Sequence, residues 1–372
     1  MKIAFTAPMK PLDHPVPSGD RTMGRLIVRA LERAGHEVRI ATDFRSWRKE
    51  GSDNIQGAVK QEALLEAARI TEAWQKESYR PDLFLTYHLY HKAPDWIGPS
   101  LADGFAIPYA IIEASRAPKR KSGNWAFGFA AADDALSRAD AVAAIHHADA
   151  ECLRAVVAPD HLDVVLPFLD AAPYQLSTAS KRQSAQTPLK LLTVGMMREG
   201  DKTRSYEMLA KALLLLQDYP WHLTIVGDGP SRDHVLSLFS PERISWLGAL
   251  SPEALPSQYA SHDLFVWPAI REAFGLVFLE AQAAGTGVVA GDAFGVPDIV
   301  VDGDTGLLSP EGDAEAFAAN LKRVIDAPET ADRMGLAASN HIENNHTLAA
   351  GAERLDALLQ KAIGNYLQRN KA

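Results

Sequence analysis

Residues 271–308 read R-E-A-F-G-L-V-F-L-E-A-Q-A-A-G-T-G-V-V-A-G-D-A-F-G-V-P-D-I-V-V-D-G-D-T-G-L-L. Immediately before them, D-L-F-V-W-P at 263–268 is a short apolar run stopped by a proline, the pattern of a buried parallel strand that leaves a sheet and enters a loop. Glu272 lies in that loop. From about Gly275 the pattern turns helical and almost wholly apolar, through Leu276, Val277, Phe278, Leu279, Ala281, Ala283 and Ala284, until Gly285 and Gly287 close it. A helix that is apolar on every side is buried.

Two features of that helix call for ligands. Its first turn leaves the amides near Phe274 to Val277 without intrahelical acceptors, and Gly275 removes a side chain where an anion would approach them. Glu280 is the helix's one ionisable group, and burying it unpaired would cost several kcal/mol, so it needs hydroxyls or a cation to bind. Five residues beyond Gly275, it stands about one and a half turns from the anion site, the spacing of a ribose beside a diphosphate. A loop acid and a solvent-facing helix acid would be the plainer account of two glutamates eight apart.

The surroundings argue otherwise. Glu272 and Glu280 bracket A-F-G-L-V-F-L, follow W-P and precede G-V-P-D-I-V-x-D-G-x-T-G-L-L. Here the sequence resembles the retaining glycosyltransferases of family 4 (group 1), which have the GT-B fold and an E-x7-E signature. The resemblance implies that Glu272 faces the transferred sugar, that the amides following it, at Ala273, Phe274, Gly275, Leu276 and Val277, hold the donor diphosphate, and that Glu280 binds the nucleotide ribose.

At 372 residues and 47% hydrophobic content the chain is long enough for two soluble domains. No apolar run approaches a membrane span, and M-K-I-A-F-T-A-P goes straight into a strand, so the expectation is a cytoplasmic protein. The single cysteine, Cys152, excludes an internal disulfide and a cysteine-rich metal site. A net charge of −9, with most of the acidic excess after Asp170, argues against a general nucleic-acid binder.

Taken in order, 2–7 is a strand, a proline-rich loop leads to a helix that Asp20 or Thr22 can cap, and 37–41 is a strand, which makes a βαβ unit. Ligands bind at the carboxyl ends of such strands, where Gly19, Asp20 and Arg21 fall; a stiff surface loop with a helix cap is the alternative. Strands at 82–87, 108–112, 140–145 and 162–166, with helices at 59–77 and 124–136, extend this into a doubly wound parallel sheet. Residues 170–188 are polar and aperiodic and read as an interdomain connection. A second series has strands at 189–194, 221–226, 243–246, 263–267 and 287–290 and a helix at 314–325. The predicted architecture is α/β: two Rossmann-like doubly wound parallel-sheet domains, 1–169 and 189–347, facing a central cleft. By resemblance alone, the helix within 348–372 packs back on the first domain.

In V-G-M-M-R-E-G-D-K-T, Lys202 and Arg198 are candidates to offset charge on a departing diphosphate. Family members usually show G-R-x-x-x-x-x-K; Gly195 and Lys202 keep that spacing, but Met196 stands at the arginine position. The resemblance also brings the turn Gly227, Asp228, Gly229, Pro230 near the nucleotide, and Leu247 to Leu250 near its base. Taken alone, these are a glycine turn and a strand end.

On the acceptor or sugar side, His88 sits at a strand end, and Glu113 stands where many relatives carry a histidine; Glu113 binds a substrate hydroxyl or a cation, or pairs with Arg116. His88 and His91 are three apart but have no further ligand cluster, so no metal and no cofactor are expected. Arg45, Trp47, Arg48 and Lys49, with Lys119, Arg120, Lys121 and Trp125, form two basic tryptophan-bearing loops. Such loops either touch anionic headgroups at the inner face of a membrane or are simply solvated.

The expected activity is retaining transfer of a sugar from a nucleotide-diphosphate donor, a UDP- or GDP-sugar, to a hydroxyl of a saccharide, lipid-linked or small-molecule acceptor. The resemblance implies a metal-independent front-face mechanism. Competing readings are a GT-B epimerase, which needs acid and base residues in the cleft, and a noncatalytic partner subunit, which the departures at Met196 and Glu113 would suit. No G-x-G-x-x-G follows the first strand, which argues against a dinucleotide-dependent dehydrogenase.

Overall fold

A computed structural model describes residues 1–16, 18–178 and 188–371. They divide into two compact units, Met1–Pro167 together with Leu348–Ala372, and Phe168–Thr347.

The first unit runs β1 (Lys2–Thr6), α1 (Gly19–Arg33), β2 (Glu37–Thr42), α2 (Asp53–Lys76), β3 (Leu83–Leu89), α3 (Ile97–Phe105), β4 (Tyr109–Ala114), α4 (Ala126–Arg138), β5 (Ala141–Ala144), α5 (His147–Leu153) and β6 (Leu162–Val164). Its parallel sheet is ordered β2-β1-β3-β4-β5-β6. Residues of β4 and β5 are buried throughout, which is why those strands read as continuous apolar runs without alternation. The connections leave in opposite directions from β1 and β3, so loops diverge there and open a crevice at the strand ends. Neither Asp20 nor Thr22 caps α1. Ser18 does, its Oγ accepting from the Arg21 N–H at 3.3 Å, because the helix begins at Gly19 and leaves Asp20 within the first turn, where its charge suits the helix dipole.

The second unit runs α6 (Ala172–Thr178), β7 (Leu189–Val194), α7 (Asp201–Leu214), β8 (Trp221–Val226), α8 (Arg232–Ser237), β9 (Ile244–Trp246), α9 (Leu255–Ser261), β10 (Leu264–Trp267), α10 (Leu276–Ala283), β11 (Gly287–Asp292), β12 (Gly306–Pro310), α11 (Ala314–Asp326) and α12 (Glu329–Asn345). Its parallel sheet is ordered β9-β8-β7-β10-β11-β12, the strand order of doubly wound nucleotide-binding sheets, with the reversal between β7 and β10.

The expectation of two parallel doubly wound sheets is met. The connection expected over 170–188 is corrected in part, since α6 occupies its first half and Tyr174 packs against Tyr259 with ring centroids 6.0 Å apart. Under two turns long, α6 is too short for a helical period to register. Residues 179–187 of that expected connection lie outside the described residues.

Finally α13 (Leu348–Arg369) joins the first unit, lying along α1. His36 and Asp356 meet at 3.0 Å and Lys361 and Asp163 at 2.6 Å. Arg369 of α13 and Arg138 of α4 both reach the fully buried Asp140, at 3.0 and 3.2 Å, and that carboxylate also accepts from the Tyr109 N–H at 2.9 Å. A buried acid contacted from three elements, with its Oδ1 met by Arg369 as an ion pair and its Oδ2 by hydrogen bonds, ties this helix to the sheet. Among the described residues, no helix is long and apolar enough to cross a membrane.

Candidate functional site

At the strand reversal of the second unit, the first turn of α7, which follows β7, and the loop after β10 bring Lys202 and Glu272 into direct contact, Nζ to Oε2. Both side chains are mostly buried, with 20% and 16% exposed. Trp267, the last residue of β10, donates its Nε1–H to the same Glu272 oxygen at 3.2 Å, and the Lys202 ammonium lies 5.3 Å from the centre of its ring.

The loop carrying Glu272 is strained. Ala269 and Arg271 have φ of +58° and +50°, a region that costs a non-glycine residue about 1–3 kcal/mol. Two side chains from other elements hold it, Ser205 Oγ accepting from the Ile270 N–H at 3.0 Å and Glu311 Oε1 from the Arg271 N–H at 2.8 Å.

Gly275, at φ +74°, precedes α10, and a Cβ there would meet Phe278 at 3.0 Å and Glu272 Cγ at 3.2 Å. Among the described residues, none of the amides from Ala273 to Val277 donates to the chain. Five free donors therefore follow the Lys202–Glu272 pair on one short segment. Further along α10, Glu280 accepts from the Tyr259 hydroxyl at 2.7 Å and from Tyr174. Burial pushes its carboxyl up from the usual range, and these two hydroxyls hold it down in part.

Glycine lets the neighbouring loops close in. Gly227 N–H donates to Gly248 O at 2.8 Å and Gly195 N–H to Val226 O at 3.0 Å. At Gly227, φ is +141° and an added Cβ would fall 1.9 Å from Gly195 O. Gly227→Ala is expected to lower stability by about 2–4 kcal/mol in denaturant unfolding. Gly19→Ala, with ordinary backbone and nothing within 4 Å, should stay within about 0.5 kcal/mol.

Asp228 is exposed, its Oδ1 accepting from the Gly229 N–H at 2.7 Å and its carbonyl from the Met197 N–H at 2.9 Å. Leu247 is exposed, but its N–H is already bonded to Ile225 O, and Leu250 lies in the following loop. Arg198 is exposed, and its guanidinium makes no ion pair among the described residues; only its carbonyl is engaged, by Thr203 Oγ1 at 2.7 Å.

In the first unit, the strand reversal gathers Asp20, His88 and Glu113. His88 Nδ1 lies 3.4 Å from Asp20 Oδ1 and 3.1 Å from Glu113 Oε1. Burial opposes a charge on His88, but Glu113 and Asp20 outweigh it and lift the imidazole to about 9; burial pushes Glu113 up to about 7 against the pull of His88. The alternative pairing of Glu113 with Arg116 is not made, because Arg116 grips Asp133 through two 2.8 Å bonds. Nor does His91 join His88. It packs edge-on to Trp125, and burial with Arg120, Lys92 and Lys119 lowers it to about 4. Arg21 donates to His14 O at 2.7 Å. In the two basic loops, Trp125 is buried, and Trp47 is held by Tyr90 Oη at 2.9 Å beneath Arg45.

Sequence reasoning missed Trp267, Tyr174, Tyr259 and Ser205. Only Trp267 left a signal, as a tryptophan closing a strand directly before the loop that carries Glu272.

Residues 177–341 match the family model described as glycosyl transferases group 1. The chain is 33% identical over 234 residues to a D-inositol 3-phosphate glycosyltransferase of Corynebacterium efficiens, covering 59% of this chain and 53% of that protein. It is 34% identical over 172 residues to a sulfoquinovosyl transferase of Arabidopsis thaliana, covering 45% and 33%. The chain thus spans about half the length of the first of these relatives. Among solved structures, a sucrose-phosphate synthase from Thermosynechococcus elongatus aligns with a TM-score of 0.73 at 18% identity, covering 97% of this chain and 98% of that one. An Anabaena protein solved with UDP and glucose aligns with a TM-score of 0.68 at 17% identity, covering 97% and 99%. Together with the two Rossmann-like units, these likenesses give the GT-B fold.

Proposed function

We propose, for a chain whose residues 177–341 match the group 1 glycosyltransferase model, that it moves a sugar from a nucleoside-diphosphate donor to an acceptor hydroxyl with retention at the anomeric carbon. The observation that carries this reading is the Lys202–Glu272 pair followed by five unengaged amides at the strand reversal. A diphosphate there takes hydrogen bonds from the amides of Ala273 to Val277 and draws the Lys202 ammonium from Glu272, so that charge on the leaving group is met by fixed donors without a metal at that end. Glu272, released, turns to the sugar. The acceptor oxygen bonds to the anomeric carbon as the bond to the diphosphate oxygen breaks on the same face, and that leaving oxygen takes the hydroxyl proton.

Glu280 holds the ribose hydroxyls in this reading, in exchange for or alongside Tyr174 and Tyr259. Glu280→Gln then weakens nucleoside diphosphate binding by about 1.5–3 kcal/mol, the scale of a bond to a charged acceptor, with the fold retained. Calorimetry showing equal affinity for the variant would remove the ribose role.

The donor is a UDP- or GDP-sugar; an Anabaena protein of the same fold was solved with UDP-glucose. Thermal shift against UDP, GDP, ADP and their sugars identifies the base, since a ligand at 100 times its Kd stabilises by about 2.7 kcal/mol. Proton NMR of the product made with the matching donor then reads the anomer. An inverted product, or no shift with any nucleotide, overturns the proposal.

A further inference from the structure

We propose that Asp20, His88 and Glu113 form a binding site for one divalent transition-metal cation, of the Zn2+ or Mn2+ class, wholly within the first unit. The first turn of α1 supplies Asp20, and the adjacent ends of β3 and β4 supply His88 and Glu113. One ligand atom from each residue lies within 4.8 Å of the other two. Two ligands about 2.1 Å from a tetrahedral cation stand about 3.4 Å apart. The imidazole-to-carboxylate separations here are 3.4 and 3.1 Å, the edge lengths of such a polyhedron.

Simple ion pairing would give similar distances, but it would also aim the ring N–H at an oxygen. Neither contact here is well aligned: His88 Nδ1 is buried and forms no hydrogen bond of good geometry, although Asp20 at 3.4 Å and Glu113 at 3.1 Å flank it and Asp20 still acts on it as a weak hydrogen-bond partner. A second polar atom is left over, since Glu113 is only 8% exposed and its Oε2 is buried with no hydrogen bond of good geometry, the nearby Tyr87 hydroxyl donating to Asp20 O at 3.0 Å. A cation bound between these groups takes the place of the His88 Nδ1 proton, which is released to solvent, and satisfies the imidazole and the carboxylates together.

The backbone reinforces this. His88 and Glu113 both adopt left-handed conformations, φ +61° and +58°, at the ends of neighbouring strands. Both are strained for non-glycine residues, strain of the kind held at ligand clamps. Asp149 adds a third negative charge acting on both residues, while His146 stands 3.3 Å from Asp149, and Lys10 acts on Asp20. One imidazole nitrogen with two carboxylates suits Zn2+ or Mn2+ better than the softer or all-oxygen sites of other ions, and three protein ligands leave a coordination position for water or a hydroxyl. The site uses neither Lys202 nor Glu272, so it stands or falls independently of the proposed transfer.

The test uses the full chain, stripped of metal with a chelator and dialysed. Mn2+ is titrated and the free ion followed by its electron paramagnetic resonance signal; Zn2+ is titrated by calorimetry. One saturable site is expected, with Kd raised at least about tenfold by His88→Ala, Glu113→Gln and Asp20→Asn. Circular dichroism checks the fold, and Asp20→Asn, at a partly exposed position in a helix turn, decides if the two strand-end variants do not fold. Absence of saturable binding to the wild type overturns the site. So does equal affinity in the folded variants, which would move the ion elsewhere, for instance to His341 and His346, whose Nε2 atoms lie 3.2 Å apart.

Discussion

Lys202→Ala lowers sugar transfer about 100-fold or more while the protein remains folded, the usual loss when one preorganised donor to a transition-state charge is removed. The structure sharpens this expectation. Lys202 is held before any ligand arrives, by the Glu272 carboxylate and the Trp267 ring, so its ammonium is positioned and already partly desolvated. Removing it also strands Glu272, which keeps only the Trp267 Nε1–H. A stability loss of about 1–3 kcal/mol therefore accompanies the loss of turnover and is read separately, by thermal unfolding. Steady-state rates with saturating donor decide the matter: turnover within twofold of wild type would mean that the phosphate lies elsewhere. Arg198→Ala is the companion, and its exposed, unpaired guanidinium leads us to expect a smaller effect.

Glu272 and Glu280 separate in opposite directions. Glu272→Gln keeps the shape and an acceptor for Trp267 but releases Lys202 from its partner. Free nucleoside diphosphate no longer competes with a carboxylate for that ammonium, so its affinity stays within about 0.5 kcal/mol of wild type or tightens, while transfer falls about 100-fold or more because the group facing the sugar has lost its charge. Glu280→Ala does the reverse for affinity and weakens the nucleotide. Paired calorimetry and rate measurements on the two variants distinguish these outcomes. A Glu272→Gln protein that loses nucleotide affinity as much as Glu280→Ala does would reverse the assigned orientation of the donor.

The β10-to-α10 segment could be read from the chain because each boundary had a chemical cause: an apolar run ended by Pro268, a glycine at φ +74° before the helix, and Gly285 at φ +64° after it. β12 could not, since G-L-L-S-P is short and follows a turn. Pairings separated by long stretches of chain were equally hidden. Nothing in the sequence near Glu280 announces that Tyr259 and Tyr174 will supply its hydroxyls. Asp20, His88 and Glu113 were singled out one by one, but their meeting depends on β1, β3 and β4 being neighbours, a fact of sheet order rather than of local pattern. Lys202 and Glu272, 70 residues apart, meet for the same reason, across β7 and β10.

The placement of α13 bears on how the protein is made. The ribosome delivers Met1–Pro167 first, but the helix that supplies Arg369 to buried Asp140 and Lys361 to Asp163 is synthesised only after all of Phe168–Thr347. At about 5–20 residues per second, that interval lasts on the order of ten to forty seconds. Throughout it the first unit has a complete sheet, a flank along α1 that α13 has yet to cover, and Asp140 with Arg138 but not Arg369 as cationic partner. The second unit has all of its strands and helices in hand first and can finish folding on the ribosome, so the unit begun first is the one completed last.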